Sequence, residues 1–160
     1  MVRYMGIFFE GEQAELIKSL QPTKLERTND EIHCTFKYKP SNEELIEDLV
    51  GQEVEVYLIG YGCDGKNSGF EVAFDESYDP YYINYHEDKK DENGLPLLKP
   101  KHITASLADG AVAAHTKDLD FVRLAEPILV TGRFGYWITE KGLPSHISYE
   151  RFLDDKKTLK

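Results

Sequence analysis

A chain of 160 residues with 41% hydrophobic and 12% aromatic residues is long enough to bury a core and too apolar to remain disordered. Its net charge of −10 excludes a broad surface for nucleic-acid backbone, which needs clustered Lys and Arg, and leaves room for a local polar cleft that takes a small phosphate ester or the end of an RNA. Two cysteines, Cys34 and Cys63, cannot build a disulfide framework, and no Cys/His cluster has zinc spacing.

Met1 to Gly6 lacks an apolar signal core, and no run of about 18 apolar residues occurs, so the expected compartment is the cytoplasm. Tyr4 to Phe9 reads as a first strand. Glu12 to Leu20 carries Ala14, Leu16, Ile17 and Leu20 at helical spacing, and Pro22 ends that helix. A polar connection, Leu25 to Asp30, leads to a strand around His33 that Pro40 closes. Ser41-Asn-Glu-Glu44 has the pattern of a capping box opening a helix with Leu45, Ile46, Leu49 and Val50, stopped at Gly51. Glu53 to Gly60 alternates Val54, Val56 and Leu58 with polar residues, as a strand with one wet face does. The glycine-rich Gly60 to Gly69 is expected to be a loose hairpin turn rather than a phosphate loop, because no Gly-x4-Gly-Lys-[Ser/Thr] pattern is present and no helix follows. Phe70 to Phe74 is the returning strand.

Tyr78, Tyr81, Tyr82 and Tyr85 cluster before a strongly polar run, His86 to Gly94, expected to be an exposed loop. After the strand at His102, Asp109 is expected to cap a helix running through His115. Pro127 to Thr139 is the last long apolar run; Gly132 and Gly135 within it suggest a bulge or the close approach of another backbone. Residues 1–153 are expected to form a single domain and 154–160 a polar tail. This alternation, without a βαβ run bearing nucleotide-binding glycines, predicts an α+β fold.

The distinctive feature is a repeated triplet. His33-Cys34-Thr35 and His102-Ile103-Thr104 both read His-x-Thr, each in a run of β-prone residues. In a strand, residues i and i+2 share a face. His33 and Thr35 therefore project together while Ile32, Cys34 and Phe36 turn inward. By the same rule His102, Thr104 and Ser106 share one face, and Ile103, Ala105 and Leu107 the other. Two imidazoles, each beside a hydroxyl, suit in-line displacement at phosphorus. A neutral histidine takes a proton from water, a protonated one gives a proton to the leaving oxygen, and the hydroxyls bind the non-bridging oxygens. Either histidine can fill either role, and the scheme requires no metal or other cofactor.

These paired motifs, His33-Cys-Thr-Phe and Pro100-Lys-His102-Ile-Thr, lie 69 residues apart and resemble those of the two-histidine (2H) phosphoesterase superfamily, which includes RNA 2′,3′-cyclic phosphodiesterases and the cyclic phosphodiesterase domains of tRNA ligases. The resemblance spans roughly residues 1–140, with only the two short motifs specific. It implies a bilobal, pseudo-twofold α+β fold with antiparallel sheets, flanking helices and a central groove. It further implies His33 and His102 as the acid–base pair, Thr35 and Thr104 as phosphate-binding residues, and 2′,3′-cyclic or 2′–5′ phosphoesters as substrates. Lys37, Tyr38, Tyr61, Tyr82 and Lys101 are candidate substrate contacts by their nearness to the motifs.

Several alternatives stay open. His146-Ile-Ser148 is a further His-x-Ser, and His102 is preferred to it because apolar alternation continues beyond His102 to Leu107. His86 and His115 read as surface residues. Asp64, Asp75, Glu76, Asp79 and the run Glu87 to Glu92 lack the register of a calcium loop and read as a solvated acidic face. The motif histidines could also be structural, bonded to backbone. The same groove could serve a non-catalytic nucleotide- or RNA-end-binding module, or the chain could be an interaction domain without a pocket.

Overall fold

The computed structural model of the chain describes residues 2–29, 31–45 and 47–138. In chain order these form β1 (Val2–Phe8), α1 (Gly11–Ser19), β2 (Arg27–Thr28), β3 (His33–Tyr38), β4 (Glu53–Cys63), β5 (Asn67–Phe74), β6 (Tyr85–Lys90), β7 (Pro96–Leu98), β8 (His102–Leu107) and β9 (Val122–Ile138), with short 3-10 segments at Glu47–Leu49, Glu76–Tyr81 and Ala113–Asp118. The architecture is mostly antiparallel sheet with few helices, of α+β type.

Seven strands make one sheet in the order β2-β8-β5-β4-β9-β1-β3, and β6 pairs with β7 in a separate hairpin. Every pairing is antiparallel. Outward from the central β4–β9 pair, β1 then β3 lie on one side and β5 then β8 on the other. The two His-x-Thr strands thus occupy equivalent places in the sheet. They also meet each other directly: β3 packs against β8, with the buried Cys34 thiol near the His102 backbone, and Asn29, ahead of β3, donates its backbone N–H to Ala105 of β8 at 3.0 Å.

The alternation read from sequence places the core. Ile32, Cys34, Phe36, Val54, Val56, Leu58, Phe70, Val72 and Ile103 are all buried in one cluster, with Ile17 of α1 as the helix's contribution. Phe36 sits at its centre, edge-on to Tyr82 and Phe134 and stacked on Phe74. Gly132 marks a close approach, since a Cβ there would lie 2.8 Å from the Phe8 carbonyl oxygen.

Several sequence expectations change. The Gly60–Gly69 stretch is not a loose loop: β4 continues to Cys63 and β5 begins at Asn67. The turn shrinks to residues 64–66, where Asp64 accepts the N–H groups of Lys66 and Asn67 and Gly65 takes φ +86°. Gly60 and Gly62 serve the strand by letting Phe121 and Leu119 pass within about van der Waals contact. Glu44 does reach back to the Ser41 N–H at 2.9 Å, but among the described residues only the 3-10 segment Glu47–Leu49 follows.

Asp109 caps nothing. Gly110 turns the chain at φ +82°, and a 3-10 segment starts three residues later behind Val112. The polar run from His86 is the arm of the β6–β7 hairpin rather than a loop. Its strand alternation turns His86 inward to 7% exposure, between exposed Tyr85 and Glu87, instead of leaving it on the surface. His115 is exposed. No helix among the described residues is long and apolar enough to cross a membrane. His146, Ser148 and the 154–160 tail lie outside the described residues.

Candidate active site

Each His-x-Thr strand carries the same local irregularity. Gly6 of β1 pairs with Thr35 and Met5 with Lys37, so Phe36 is an extra residue, a bulge. Gly69 of β5 pairs with Thr104 and Ser68 with Ser106, so Ala105 is the extra residue there. In both strands the bulge comes directly after the threonine. In both, a glycine faces the threonine from the neighbouring strand. A Cβ on Gly69 would stand 2.5 Å from the Ile103 carbonyl oxygen, and one on Gly6 would collide with the Cys34 carbonyl.

The histidines are fixed in the same way. His33 donates Nδ1–H to the Glu31 carbonyl at 2.9 Å, and His102 donates Nδ1–H to the Pro100 carbonyl at 2.6 Å. A carbonyl only accepts, so the proton of each neutral ring sits on Nδ1 and Nε2 keeps its lone pair. His33 is further held by ring stacking on Tyr4, with centroids 4.6 Å apart, and by Phe8 at 5.7 Å. Tyr4 in turn stacks on Trp137.

His33, Thr35, His102 and Thr104 line one cavity of about 730 Å³, together with Arg3, Tyr4, Tyr38, Asn84, Glu87, Lys99, Lys117 and the 112–114 segment. The size is that of a nucleotide-scale ligand site rather than of a lone phosphate. A neighbouring cavity of about 650 Å³ shares Arg3, Tyr4 and His33 with it and extends toward Arg27, Leu107 and Trp137.

Both imidazoles are held neutral in the ligand-free site. Burial lowers His33 to about 4 against the pull of the Glu31 carbonyl, and charge on His102 lowers it further. Burial also lowers His102, with the Pro100 carbonyl opposing and the Lys99 and Lys117 ammoniums adding to the fall. An anion between the rings would reverse both trends. Burial raises Cys34 to about 12, which makes it an inert core thiol.

The hydroxyls differ. Among the described residues the Thr35 hydroxyl makes no hydrogen bond, whereas Thr104 donates to Thr116 Oγ1 at 2.8 Å, an atom that also accepts from Asn67 at 3.0 Å. The Thr35 carbonyl accepts from the Asn84 side chain at 3.3 Å, which ties the second wall of the cavity to β3.

Of the five candidate contacts, only Tyr38 lines this cavity. The bulge at Phe36 explains the exchange: it places Lys37 on the Met5 face and brings Tyr38 round to the face of Tyr4 and His33. The bulge at Ala105 moves Ser106 off the His102 face. Ser106 instead donates to Gln21 at 2.6 Å and accepts from the Leu25 N–H, while Leu107 swings back to line the neighbouring cavity.

Tyr61 belongs to the same remote polar group as Ser106, bonded to Ser68 and Thr23. Lys101 faces away from His102, as adjacent strand residues do, and pairs with Asp79 at 2.7 Å over the Phe74 and Tyr82 rings. Tyr82 is 3% exposed, with its hydroxyl donated to the Lys99 and Pro100 carbonyls. It buttresses His102 from behind, sharing the carbonyl that orients the ring. Asp64 and Asp75 bond backbone N–H groups of their own turns.

Sequence reasoning missed Arg3, Tyr4, Asn84, Glu87, Lys99 and Lys117. Tyr4 carries a partial signal, since it shares a face with Phe8 on the expected first strand, but the pairing of that strand with the His33 strand is not legible locally. Glu87 comes from the run expected to be an exposed loop, Asn84 and Lys99 flank the β6–β7 hairpin, and Lys117 lies on the 3-10 segment just beyond the helix expected through His115. Compared with known proteins, the chain matches no family model and has no detectable similarity to a curated protein.

Proposed function

We propose that the chain is a metal-independent phosphodiesterase acting on 2′,3′-cyclic or 2′–5′-type nucleotide or RNA-terminal phosphoesters, with His33 and His102 sharing the acid–base work. One observation carries the reading. Two imidazoles, each pinned through Nδ1 to the carbonyl two residues upstream, line a single cavity with Nε2 left for a ligand. The resemblance of the His-x-Thr pair to the 2H phosphoesterases agrees with it. We read the matched positions of β3 and β8 in the sheet, and the matched bulges, as the two halves of a bilobal, pseudo-twofold fold with this cavity as its central groove.

In this scheme the phosphate anion binds between the rings and favours protonation of one. The neutral imidazole takes a proton from the attacking water through Nε2, and the water oxygen bonds to phosphorus. The imidazolium gives its proton to the departing 2′ or 3′ oxygen as the P–O bond breaks. The product is a phosphomonoester, and solvent proton exchange restores the starting pair. Thr35 donates to a non-bridging oxygen. Thr104 does so only by turning from Thr116, an exchange of one hydrogen bond for another on a scale of about 1 kcal/mol.

The test is hydrolysis of 2′,3′-cyclic nucleotides with a chelator present. His33→Ala and His102→Ala should each lower kcat about 10²–10⁴-fold. Full rates in both variants sink the proposal. A second reading, a non-catalytic nucleotide- or RNA-end-binding module, is favoured by the neutral state of both rings and the committed Thr104 proton. Tight binding of a cyclic nucleotide without turnover selects it.

A further inference from the structure

The charge on the cavity wall contradicts the charge of the chain. In a protein of net charge −10, the described residues that line the cavity include three cations (Arg3, Lys99 and Lys117) and one carboxylate, Glu87. Lys99 precedes β8 by three residues, and Lys117 lies on the 3-10 segment Ala113–Asp118 that packs over β8. Among the described residues neither lysine makes an ion pair, although Lys101, Lys89 and Arg27 nearby all do. Asp118, next to Lys117, is engaged with Lys89 at 3.4 Å and His115 at 3.9 Å.

Lys117 stands close enough to Lys99 to add to the cost of its charge: burial lowers Lys99 and Lys117 lowers it further, with Glu87 opposing. Like charges gathered at a partly buried wall, faced by Glu87 but in no direct ion pair with it, favour an anion. The reacting phosphate does not require both. It has the two imidazoles and the Thr35 hydroxyl, and the cavity is several times larger than one phosphate.

We propose that Lys99 and Lys117 form a second anion subsite beside the histidine pair, so that the preferred substrate carries another phosphate in addition to the one that reacts. This rests on the phosphodiesterase reading and specifies its substrate class: a nucleotide phosphorylated at a second position, or an oligonucleotide end, rather than a nucleoside cyclic phosphate alone. Lys99 comes from the base of the β6–β7 hairpin, its backbone N–H bonded to the Asn84 carbonyl at 2.8 Å, and Lys117 from the facing segment. The subsite thus bridges two elements that the histidine strands do not supply.

The experiment is equilibrium binding by calorimetry, independent of turnover, with adenosine 2′-phosphate and adenosine 2′,5′-bisphosphate as probes. Wild type should bind the bisphosphate at least about tenfold more tightly, as desolvated charge contacts warrant. The double variant Lys99→Gln/Lys117→Gln should lose that margin, read as the ratio of the two probes' affinities in the same protein. Lys99→Arg/Lys117→Arg should retain the margin, which separates charge from misfolding. Equal affinities in wild type, or equal loss of both probes in the Gln variant, overturn the subsite alone. Failure of wild type to bind either probe overturns it together with the reading on which it rests.

Discussion

Acid should destabilise this protein, with His33 the largest resolved histidine contribution. The ring titrates near 6.5 in an unfolded chain and is lowered to about 4 in the fold, mainly by burial against Tyr4 and Phe8. Between those pH values the unfolded state binds a proton that the native state refuses, so stability is intact above about 6.5 and falls as pH drops toward 4. A difference of about 2.5 pKa units corresponds to about 3 kcal/mol in full, of which about 2 kcal/mol is lost by pH 4.5. His33→Asn preserves a donor for the Glu31 carbonyl and removes the titrating ring. Urea unfolding of both proteins from pH 7.5 to 4.5 isolates the effect, because the carboxylates common to both cancel. At pH 7 the variant should be the less stable, having lost the stacking on Tyr4. The two curves should then converge by about 2 kcal/mol toward pH 4.5. Parallel curves would refute the picture of a neutral, desolvated His33.

Three further outcomes follow from the packing. Gly69→Ala pushes a methyl against the Ile103 carbonyl and the Thr116 side chain, and should cost about 1–3 kcal/mol with a lowered melting temperature; Gly6→Ala should be at least as damaging, and unchanged melting of both would count against the β-bulge register. Thr116→Val removes the acceptor of Thr104 and Asn67 in a buried site, so denaturant unfolding should show a loss of about 1–3 kcal/mol. Lys101→Met breaks its pair with Asp79 and removes the ammonium from over the Phe74 and Tyr82 rings, all on the far side of the strand. It should leave ligand affinity unchanged and alter stability by less than about 1 kcal/mol, and a large loss of nucleotide binding would show that Lys101 reaches the cavity after all.

The local chemistry of the chain determined a good deal by itself. Period-two alternation sufficed to send Cys34, Phe36 and Ile103 into the core and to set His33 beside Thr35 and His102 beside Thr104, because a side chain's face in a strand depends only on its own neighbours. Helical spacing located α1, with Ile17 buried. Tertiary pairing decided the rest. A bulge exists only relative to a partner strand one residue shorter, so nothing in Thr35-Phe36-Lys37 announces that Lys37 leaves the cavity and Tyr38 enters it. The same holds for Ser106 and Leu107 beyond Ala105. The glycines that permit both bulges, Gly6 and Gly69, are far from the motifs in sequence and meet them only when the sheet forms. Lys99 and Lys117 became cavity residues for the same reason: which charges share a wall is set by how the β6–β7 hairpin and the Ala113–Asp118 segment pack around β8, a relation between distant segments that no local pattern encodes.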